Sequence, residues 1–496
     1  MKLPLGRRID NLALRWQARL DSEWADRVLP WLAALGLFIV LALLALARAR
    51  SLDATVDLAG YAQASWLIGE GREPVMTVTT NAHVLAQQAA FGFYPLAWLT
   101  GAGLPNIPTL LVVQSAALAS GVLPLWRIAR KIANLRPGPS LCLVFVYAFY
   151  PVMHNLNLSG FHPETIALPG LLGAIYFGLR GKWRYFVPCC AVVLLMRADL
   201  GLAIAGLGVL LALEGKRRQG AATALVGIGW TALCILVLQP RYGAGSSAHL
   251  AAFAAFGDSP GTVLAGFVQR PGTVLGQLVR EQNFNLAVTL LAPLMFLPVL
   301  VPRYLVPVLP LQFLYLVADV PTDAVFGQQT VAITAFIFLS GAMALGKIGE
   351  MGHEKIRVDT RVIGALFLAA TVFYIRDAAS SPYRRPWDWG GQDAADFARI
   401  RATDQVKPTD SVRASRTLLT LLAERERLYD LTLGDAPDAA RAADGVDVIV
   451  LDDRQVPQWS SVDRQVFRLG LQSLGFRQVS NEEGIELFVR IPATSG

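Results

Sequence analysis

The sequence predicts a polytopic α-helical membrane protein that ends in an α/β domain. Of its 496 residues 54% are hydrophobic and only 16% are charged, whereas charged residues make up about a quarter of an ordinary soluble protein. Several apolar runs reach the roughly 17–25 residues that a helix needs to cross a bilayer. The segment from residue 377 onward is charged instead, and its strand-like run DVIVLDD lies between helical patterns.

Basic residues at the ends of the apolar runs predict the orientation. The N-terminal segment 1–28 carries six Lys and Arg residues, which predicts that it is cytoplasmic. A transmembrane domain over 29–376 follows, with a long external first loop at 51–105, and residues 377–496 form the extracytoplasmic α/β domain. Basic inner loops give a model of eleven spans: 30–48, 107–126, 139–153, 165–179, 185–196, 199–213, 220–238, 284–301, 303–318, 329–346 and 361–376.

Two alternatives would change this topology. The first run ends in Ala47-Arg48-Ala49, a pattern found at signal-peptide cleavage sites, but the long segment before it contains acidic residues, which favours a retained span. The aromatic stretch 84–100 is interrupted by Pro95 and is predicted to be an interfacial helix; a true span there would invert everything downstream.

Charge and cysteine content exclude several classes of function. The net charge of +7 comes from short basic clusters between the spans, so it indicates contact with anionic membrane lipids and not with nucleic acid. The cysteines lie inside apolar runs without the spacing of metal ligands, so neither a zinc site nor a disulfide framework is expected. They are Cys142, Cys189, Cys190 and Cys234.

Two carboxylates, Asp53 and Asp57, follow the first span directly. They lie four residues apart and would share a face if that stretch were helical. A carboxylate at the membrane boundary can act as general base towards the hydroxyl of an acceptor. The alternative is an ordinary solvated loop carboxylate.

The predicted outer loop HNLNLSGFHPE offers His154, His162 and Glu164 as binding residues. Only one residue separates His162 from Glu164, so the two can converge on one ligand or on a divalent metal, the one cofactor that the sequence suggests. A metal would need a third ligand, from Asp57 or His83. The alternative is a hydrogen-bonded loop cap.

The string MRADLG places Arg197 and Asp199 between two short apolar runs. An ionisable group at that depth costs about 2.5–3.5 kcal/mol on insertion, so such groups are usually paired or functional. Arg197 can clamp a phosphate with two hydrogen bonds, with Asp199 as its partner. A purely structural Arg–Asp pair is the equal alternative. In the tail, Trp387, Trp389 and Trp459 can stack on sugars or anchor in the interface.

Several strings carry a family resemblance through their order and spacing along most of the chain. They are VDLAGYAQASW, LVVQSAALASGVLPLWRIARKI, NLSGFHPETIALP, RADLGLAIAGLGVLL, LAPLMFLPVLVPRYLVPVLP and KPTDSVRAS. Together they resemble the bacterial membrane-protein family known as domain of unknown function 2079, which is grouped with the GT-C glycosyltransferases.

This resemblance implies a bacterial plasma-membrane enzyme of GT-C architecture. Such enzymes take a sugar from a polyprenyl-phosphate donor and transfer it to an external glycan or lipid acceptor. Their usual base is an acidic residue of the first external loop, which here implies Asp57, with Asp53 second. The family's His-Phe pair corresponds to His83-Val84, which implies a weaker substrate-binding role for His83.

The chain departs from the family pattern at two positions. Ala62 and Ala198 stand where the family has carboxylates. Two other functions therefore stay open: a transporter or lipid flippase, which also uses broken spans and charges at membrane depth, and a cell-envelope scaffold with a degenerate site.

Overall fold

The computed structural model describes residues 22–53, 55–243, 251–319, 327–351, 360–383, 390–431 and 438–491, and most of them are helical. Within these residues five helices are long and apolar enough to cross a membrane, and three shorter apolar helices accompany them. The five are Glu23–Arg50, Asn106–Lys131, Pro137–Leu158, Arg217–Arg241 and Gln328–Gly349; the three are Glu164–Leu179, Trp183–Met196 and Leu200–Leu213. The count of eleven spans stays a prediction.

The α-helices before the C-terminal region are numbered in chain order. They are α1 Glu23–Arg50, α2 Val56–Gly69, α3 Val84–Gln88, α4 Phe93–Gly101, α5 Asn106–Ser120, α6 Val122–Lys131, α7 Pro137–Ala148, α8 Pro151–Leu158, α9 Glu164–Leu179, α10 Trp183–Met196, α11 Leu200–Leu213, α12 Arg217–Leu233 with a π-helical turn Cys234–Leu238 and a last turn Gln239–Arg241, α13 Pro260–Gln269, α14 Pro271–Leu278, α15 Glu281–Leu291, α16 Leu309–Val317, α17 Val331–Met351 and α18 Thr360–Asp377.

Helix α1 has a different set of polar contacts at each end. At its start, Asp26 pairs with Arg130 at 2.6 Å and lies 3.9 Å from Lys131, both in the basic last turn of α6. At its other end Arg48 donates to the carbonyls of Asp53 and Leu158. We call the end of the helix bundle near Arg50 the upper end. Because α8 finishes there as well, the polar loop after it lies beside the first loop.

The predicted spans 284–301 and 303–318 are not continuous α-helices. Helix α15 stops at Leu291, and short 3-10 turns fill residues 292–308 before α16 begins. Proline lacks the amide hydrogen that an α-helix requires, and this stretch contains Pro293, Pro298, Pro302 and Pro307. The apolar composition suggested two spans, but the proline spacing gives a pair of helices joined by a compact irregular segment.

Among its described residues the first loop contains no helix long enough to span a membrane. Residues 84–100 form the short helices α3 and α4, and Ala89 between them has a φ of 54°. Strands β1 (Val75–Met76) and β2 (Ala82–His83) form a small antiparallel hairpin ahead of them. Neither helix approaches the length of a span, which agrees with a stretch lying along the bundle end.

The C-terminal region is built on a five-stranded mixed sheet in the order β4-β3-β5-β7-β6. The predicted buried strand is β5, and the predicted hairpin is confirmed as β6 and β7. Trp459 packs into the core beside Phe467, so it neither stacks on a sugar nor anchors in an interface; Trp387 and Trp389 lie outside the described residues. The elements are β3 Val412–Ala414, β4 Leu428–Asp430, β5 Val448–Asp452, β6 Phe476–Glu482, β7 Ile485–Arg490, and helices α19 Ala394–Asp404, α20 Ala439–Ala443 and α21 Ser461–Ser473.

The C-terminal region packs directly on the first loop. The Thr77 hydroxyl donates to the carbonyl of Leu428 at 2.7 Å and accepts from its amide at 2.9 Å. Gln63 of α2 donates to the carbonyls of Arg425 and Glu426, each at 3.2 Å. Both regions therefore lie at the upper end of the bundle. The C-terminal region, described over 390–431 and 438–491 and called the sheet domain below, packs against α2 there.

Candidate functional site

Helix α2 presents Asp57 in its first turn. Thr55 caps this helix, accepting from the amide of Leu58 at 3.4 Å and donating to the carbonyl of Ser159 at 2.9 Å. The positive end of the helix dipole favours a carboxylate at this place. The helix begins only at Val56, so Asp53 lies outside it and the two carboxylates do not share a helical face.

Asp53 belongs to a structural pair beside the site. Its Oδ2 lies 3.3 Å from Nε of Arg48, and its side chain is about half exposed. The Arg48 guanidinium also reaches across to the end of α8. Asp53 thus joins the end of the first helix to its neighbours, while Asp57 is exposed and lies within electrostatic range of Tyr61.

Tyr61 lies one turn after Asp57 and is buried. Its hydroxyl donates to Oε1 of Gln88 at 3.0 Å, and its ring packs edge-on against Phe93 and Phe161. Burial, together with the negative charges of Glu164 and Asp57, raises the pKa of Tyr61 well above its usual range, and the positive charge of Arg197 opposes this. Tyr61 is therefore a permanent hydrogen-bond donor placed within electrostatic range of all three charges.

Arg197 holds two carboxylates and a tyrosine together in a buried ion cluster, defined here as Glu164, Arg197, Asp199 and Tyr315. Its Nη1 donates to Glu164 at 2.9 Å, while Nε and Nη2 form a bidentate pair with Asp199 at 2.7 and 2.8 Å. The hydroxyl of Tyr315 lies 2.6 Å from Nη2 of Arg197 and donates to Asp199 at 2.7 Å. Four helices, α9 to α11 and α16, meet at this cluster.

Glu164 has one satisfied and one unsatisfied oxygen. Its side chain is fully buried, with Oε1 on Arg197 and no hydrogen-bond partner for Oε2 among the described residues. Leaving a buried charged acceptor without a partner costs about 1–3 kcal/mol or more. Asp199, by contrast, is 31% exposed, so the cluster reaches the surface on that side.

Backbone hydrogen bonds connect the ion cluster region to the first loop. The amide of Ala198 donates to the carbonyl of Gln88 at 3.0 Å, and the amide of Gly92 donates to Leu195 at 2.8 Å. Since Gln88 also accepts from Tyr61, a short chain of contacts connects the Asp57 helix to the break between α10 and α11. Glu164 and Arg197, predicted as separate sites, are thus in direct contact, and hydrogen bonds through Gln88 link them to the helix that carries Asp57.

A buried amide shapes the loop that carries His162 and Glu164. Gln114 of α5 donates to the carbonyl of Gly160 at 2.7 Å and accepts from the amide of His162 at 2.8 Å. Gly160 has a φ of 112°, and a Cβ atom there would collide with the hydroxyl of Thr55. The loop is therefore rigid and aims Glu164 into the bundle.

The three histidines that were predicted as site residues occupy different places. His162 is buried next to Glu164, and no hydrogen bond of its imidazole is recorded in the described part of the chain. In His154, Nε2 donates to the carbonyl of Ala148 at 2.8 Å and Nδ1 lies 2.7 Å from the Ser380 hydroxyl, which is a structural arrangement away from the ion cluster. His83 caps α3 through Nδ1 and stacks on Tyr242 at 4.5 Å; burial lowers the pKa of His83.

The predicted metal ligands do not come together among the described residues. Over the described ranges no three His, Cys, Asp or Glu side chains come close enough to hold an ion, and Glu164 already has Arg197 as its counter-ion. The four cysteines carry free thiols, and three of them are buried.

Both departures from the family pattern are buried alanines. Ala62 is fully enclosed and Ala198 is 5% exposed. A carboxylate at either position would need both space and a partner. Sequence reasoning missed Tyr61, Gln88 and Tyr315. For Tyr61 the available signal was its spacing of four residues from Asp57, whereas Tyr315 lies 118 residues from Arg197 and gave none.

Comparison with known proteins identifies the family. A model described as "Predicted membrane protein (DUF2079)" matches residues 48–487. The chain belongs to this family of predicted membrane proteins. A comparison with curated proteins gives no match. Among solved structures this DUF2079 protein is similar to ArnT from Cupriavidus metallidurans bound to undecaprenyl phosphate, with a TM-score of 0.49 and 10% identity over 93% of this chain and 99% of that chain.

Proposed function

We propose that this DUF2079 protein is a membrane glycosyltransferase of GT-C type, acting on the outer face of the bacterial plasma membrane. It would transfer a sugar from a polyprenyl-phosphate donor to a cell-envelope glycan or lipid. The observation that carries the proposal is the grouping of Asp57, Tyr61 and the ion cluster at one end of the bundle. Such convergence of charged and acceptor groups at the edge of an apolar bundle is typical of a site for a polar headgroup.

Asp57 is the proposed general base. Its carboxylate takes the proton of the acceptor hydroxyl, whose oxygen attacks the anomeric carbon of the donor. The bond from that carbon to the phosphate oxygen breaks, and polyprenyl phosphate leaves with the electron pair. Asp57 lies in the first turn of α2, where the helix dipole favours a carboxylate, and it is exposed, so an acceptor can approach it.

Arg197 is proposed to position the site rather than to clamp the lipid phosphate. Four hydrogen bonds already commit its guanidinium to Glu164, Asp199 and Tyr315. Only one N–H, on Nη1, is left for another ligand, so a phosphate held by two hydrogen bonds would have to displace one of these partners. We assign to Arg197 the role of holding both carboxylates in place, with His162 shaping the adjoining wall.

The sheet domain is proposed to stabilise α2 on the extracytoplasmic side. Its contacts through Gln63 and Thr77 restrain the helix that carries Asp57. Preorganisation of a catalytic group in this way preserves the geometry that proton transfer requires. The domain also offers a surface on which a large envelope acceptor can rest beside the site.

Transfer assays with the purified full-length protein test this proposal. In proteoliposomes containing radiolabelled polyprenyl-phosphate sugars and envelope lipids and glycans as acceptors, the wild type should release polyprenyl phosphate and label an acceptor. Asp57→Asn should reduce this rate by about a hundredfold or more, the scale of a lost general base.

Asp53→Asn is the matched control, because it makes the same change four residues earlier in a carboxylate that pairs with Arg48. It should retain most of the activity. Equal activity of wild type and Asp57→Asn would refute the assignment of the base. Transbilayer movement of the intact donor without any transfer would instead favour a flippase, and neither reaction would favour a scaffold.

A further inference from the structure

The unsatisfied oxygen of Glu164 identifies what the site recognises. The carboxylate is fully buried, Arg197 occupies Oε1, and Oε2 has no partner among the residues described. Buried polar groups are nearly always hydrogen-bonded, so this oxygen at a candidate site calls for a partner that the described residues do not supply. The group that completes this site must be a hydrogen-bond donor.

The charge of the ion cluster excludes the lipid phosphate as that group. Two carboxylates, Glu164 and Asp199, surround the single guanidinium of Arg197, so negative charge is in excess. A phosphate bears only acceptor oxygens and negative charge, and at this place it would be repelled. Tyr315 donates its own proton to Asp199 and leaves none for an anion.

Sugar hydroxyls have the required chemistry. They are neutral donors of moderate size, and a carboxylate is the acceptor that binds them most strongly. The hydroxyl of Tyr61 lies within electrostatic range of both Glu164 and Asp57, so a sugar that reached Glu164 would lie near the proposed base. A sugar seated there would have its anomeric carbon near Asp57 and its phosphate directed away from the cluster.

We propose that Glu164 accepts a hydrogen bond from a hydroxyl of the donor sugar and thereby distinguishes the glycosylated lipid from bare polyprenyl phosphate. Arg197, Asp199 and Tyr315 are positioning residues that fix the carboxylate for this contact. This inference rests on the proposed function. It specifies that the ion cluster recognises the sugar of the donor and not its phosphate.

Equilibrium binding to the full-length protein in nanodiscs tests the inference. The probes are undecaprenyl phosphate and its glucosyl, galactosyl, mannosyl and arabinosyl esters. The wild type should bind at least one ester more tightly than the bare lipid. Glu164→Gln retains the shape of the side chain but loses its charge. It should lower the affinity for that ester by about tenfold to a hundredfold, the scale of a hydrogen bond to a charged group.

The bare lipid phosphate serves as the internal control. Its affinity should not change in Glu164→Gln, which also shows that the variant is folded. Glu164→Asp provides a second variant that keeps the charge and shortens the reach, and it should lose the preference for the ester too. Asp53→Asn should behave as the wild type does.

The outcomes distinguish a failure of the proposed function from a failure of the role assigned to Glu164. A wild type that binds none of the lipids, or that prefers none of the esters, refutes the donor assignment and the proposed function with it. Two other outcomes would overturn only the role of Glu164. In one, the wild type prefers an ester and both Glu164 variants retain that preference. In the other, folded variants lose affinity for the ester and for the bare lipid equally.

Discussion

The main role of Arg197 is to neutralise the two carboxylates of the ion cluster, not to bind a ligand. Two carboxylates lie within hydrogen-bond distance of its guanidinium, and one of them is fully enclosed. In an interior of low dielectric an unpaired charge is far more costly than in water. Removing the cation therefore harms the fold as well as the site.

Arg197→Met is expected to lower the free energy of unfolding by about 3–5 kcal/mol, because it leaves the Glu164 carboxylate buried without a counter-ion. The double variant Arg197→Met/Glu164→Gln should recover part of this loss. Reversible unfolding in mixed detergent micelles measures both. Arg280→Met removes a more exposed pair with Asp319 and should cost under about 1 kcal/mol; an equal loss in both arginine variants would contradict the account.

His83 should make stability depend on pH. Burial lowers the pKa of its imidazole below the ordinary 6.5, so the unfolded chain binds a proton more readily than the folded one. Its contribution is present above that ordinary value and is lost as the pH falls towards the lowered pKa. His83→Asn can still cap α3 but does not titrate.

The Tm of the wild type should therefore fall further between pH 7.5 and pH 5.5 than the Tm of His83→Asn. Thermal unfolding followed by circular dichroism at the two pH values measures the difference. Parallel changes in both proteins would show that other groups account for the pH dependence.

At the scale of elements, the loop between α8 and α9 determines where Glu164 points. The amide of Gln114 satisfies the backbone of this loop, and Gly160 permits its sharp turn beside Thr55. The sequence predicted the loop and its polar residues. It did not predict the turn, because the residue that organises it belongs to α5, more than 40 positions earlier.

Gly160→Ala is expected to destabilise the protein more than Gly71→Ala. Both glycines have positive φ values, but a Cβ at Gly71 meets open space whereas one at Gly160 collides with Thr55. The left-handed backbone costs an alanine roughly 1–2 kcal/mol at either place, and crowding adds about 1–3 kcal/mol at Gly160 alone. Equal Tm losses for the two variants would contradict the described packing of the loop.

Apolar runs of similar composition differ in whether they form continuous helices. The long apolar run 30–48 was correctly predicted to be helical, because composition alone decides it, and it lies within the longer helix Glu23–Arg50. The stretch 292–308 is equally apolar, yet its prolines break it into 3-10 turns. Apolar composition indicates burial or lipid contact; the prolines decide the backbone.

Across the whole molecule, polar contacts divide between the two ends of the bundle. The start of α1 pairs with the basic end of α6, while the first loop, the ion cluster and the sheet domain all gather at the upper end. The sequence indicated this grouping through its basic loops, and it identified Asp57, Glu164 and Arg197 because charges next to apolar runs are costly. It could not connect them, since Tyr61, Gln88 and Tyr315 join them only through tertiary contacts.

The central claim is that this one end of the molecule binds a lipid-linked sugar. Photo-crosslinking tests it most directly, using the tightest-binding undecaprenyl-phosphate glycosyl ester remade with a diazirine on its sugar. Mass spectrometry of the labelled full-length protein should find the label on peptides from α2 and from the His162–Glu164 loop, and the unmodified ester should compete it away. Label confined to the sheet domain, or label that the unmodified ester does not displace, would contradict the account.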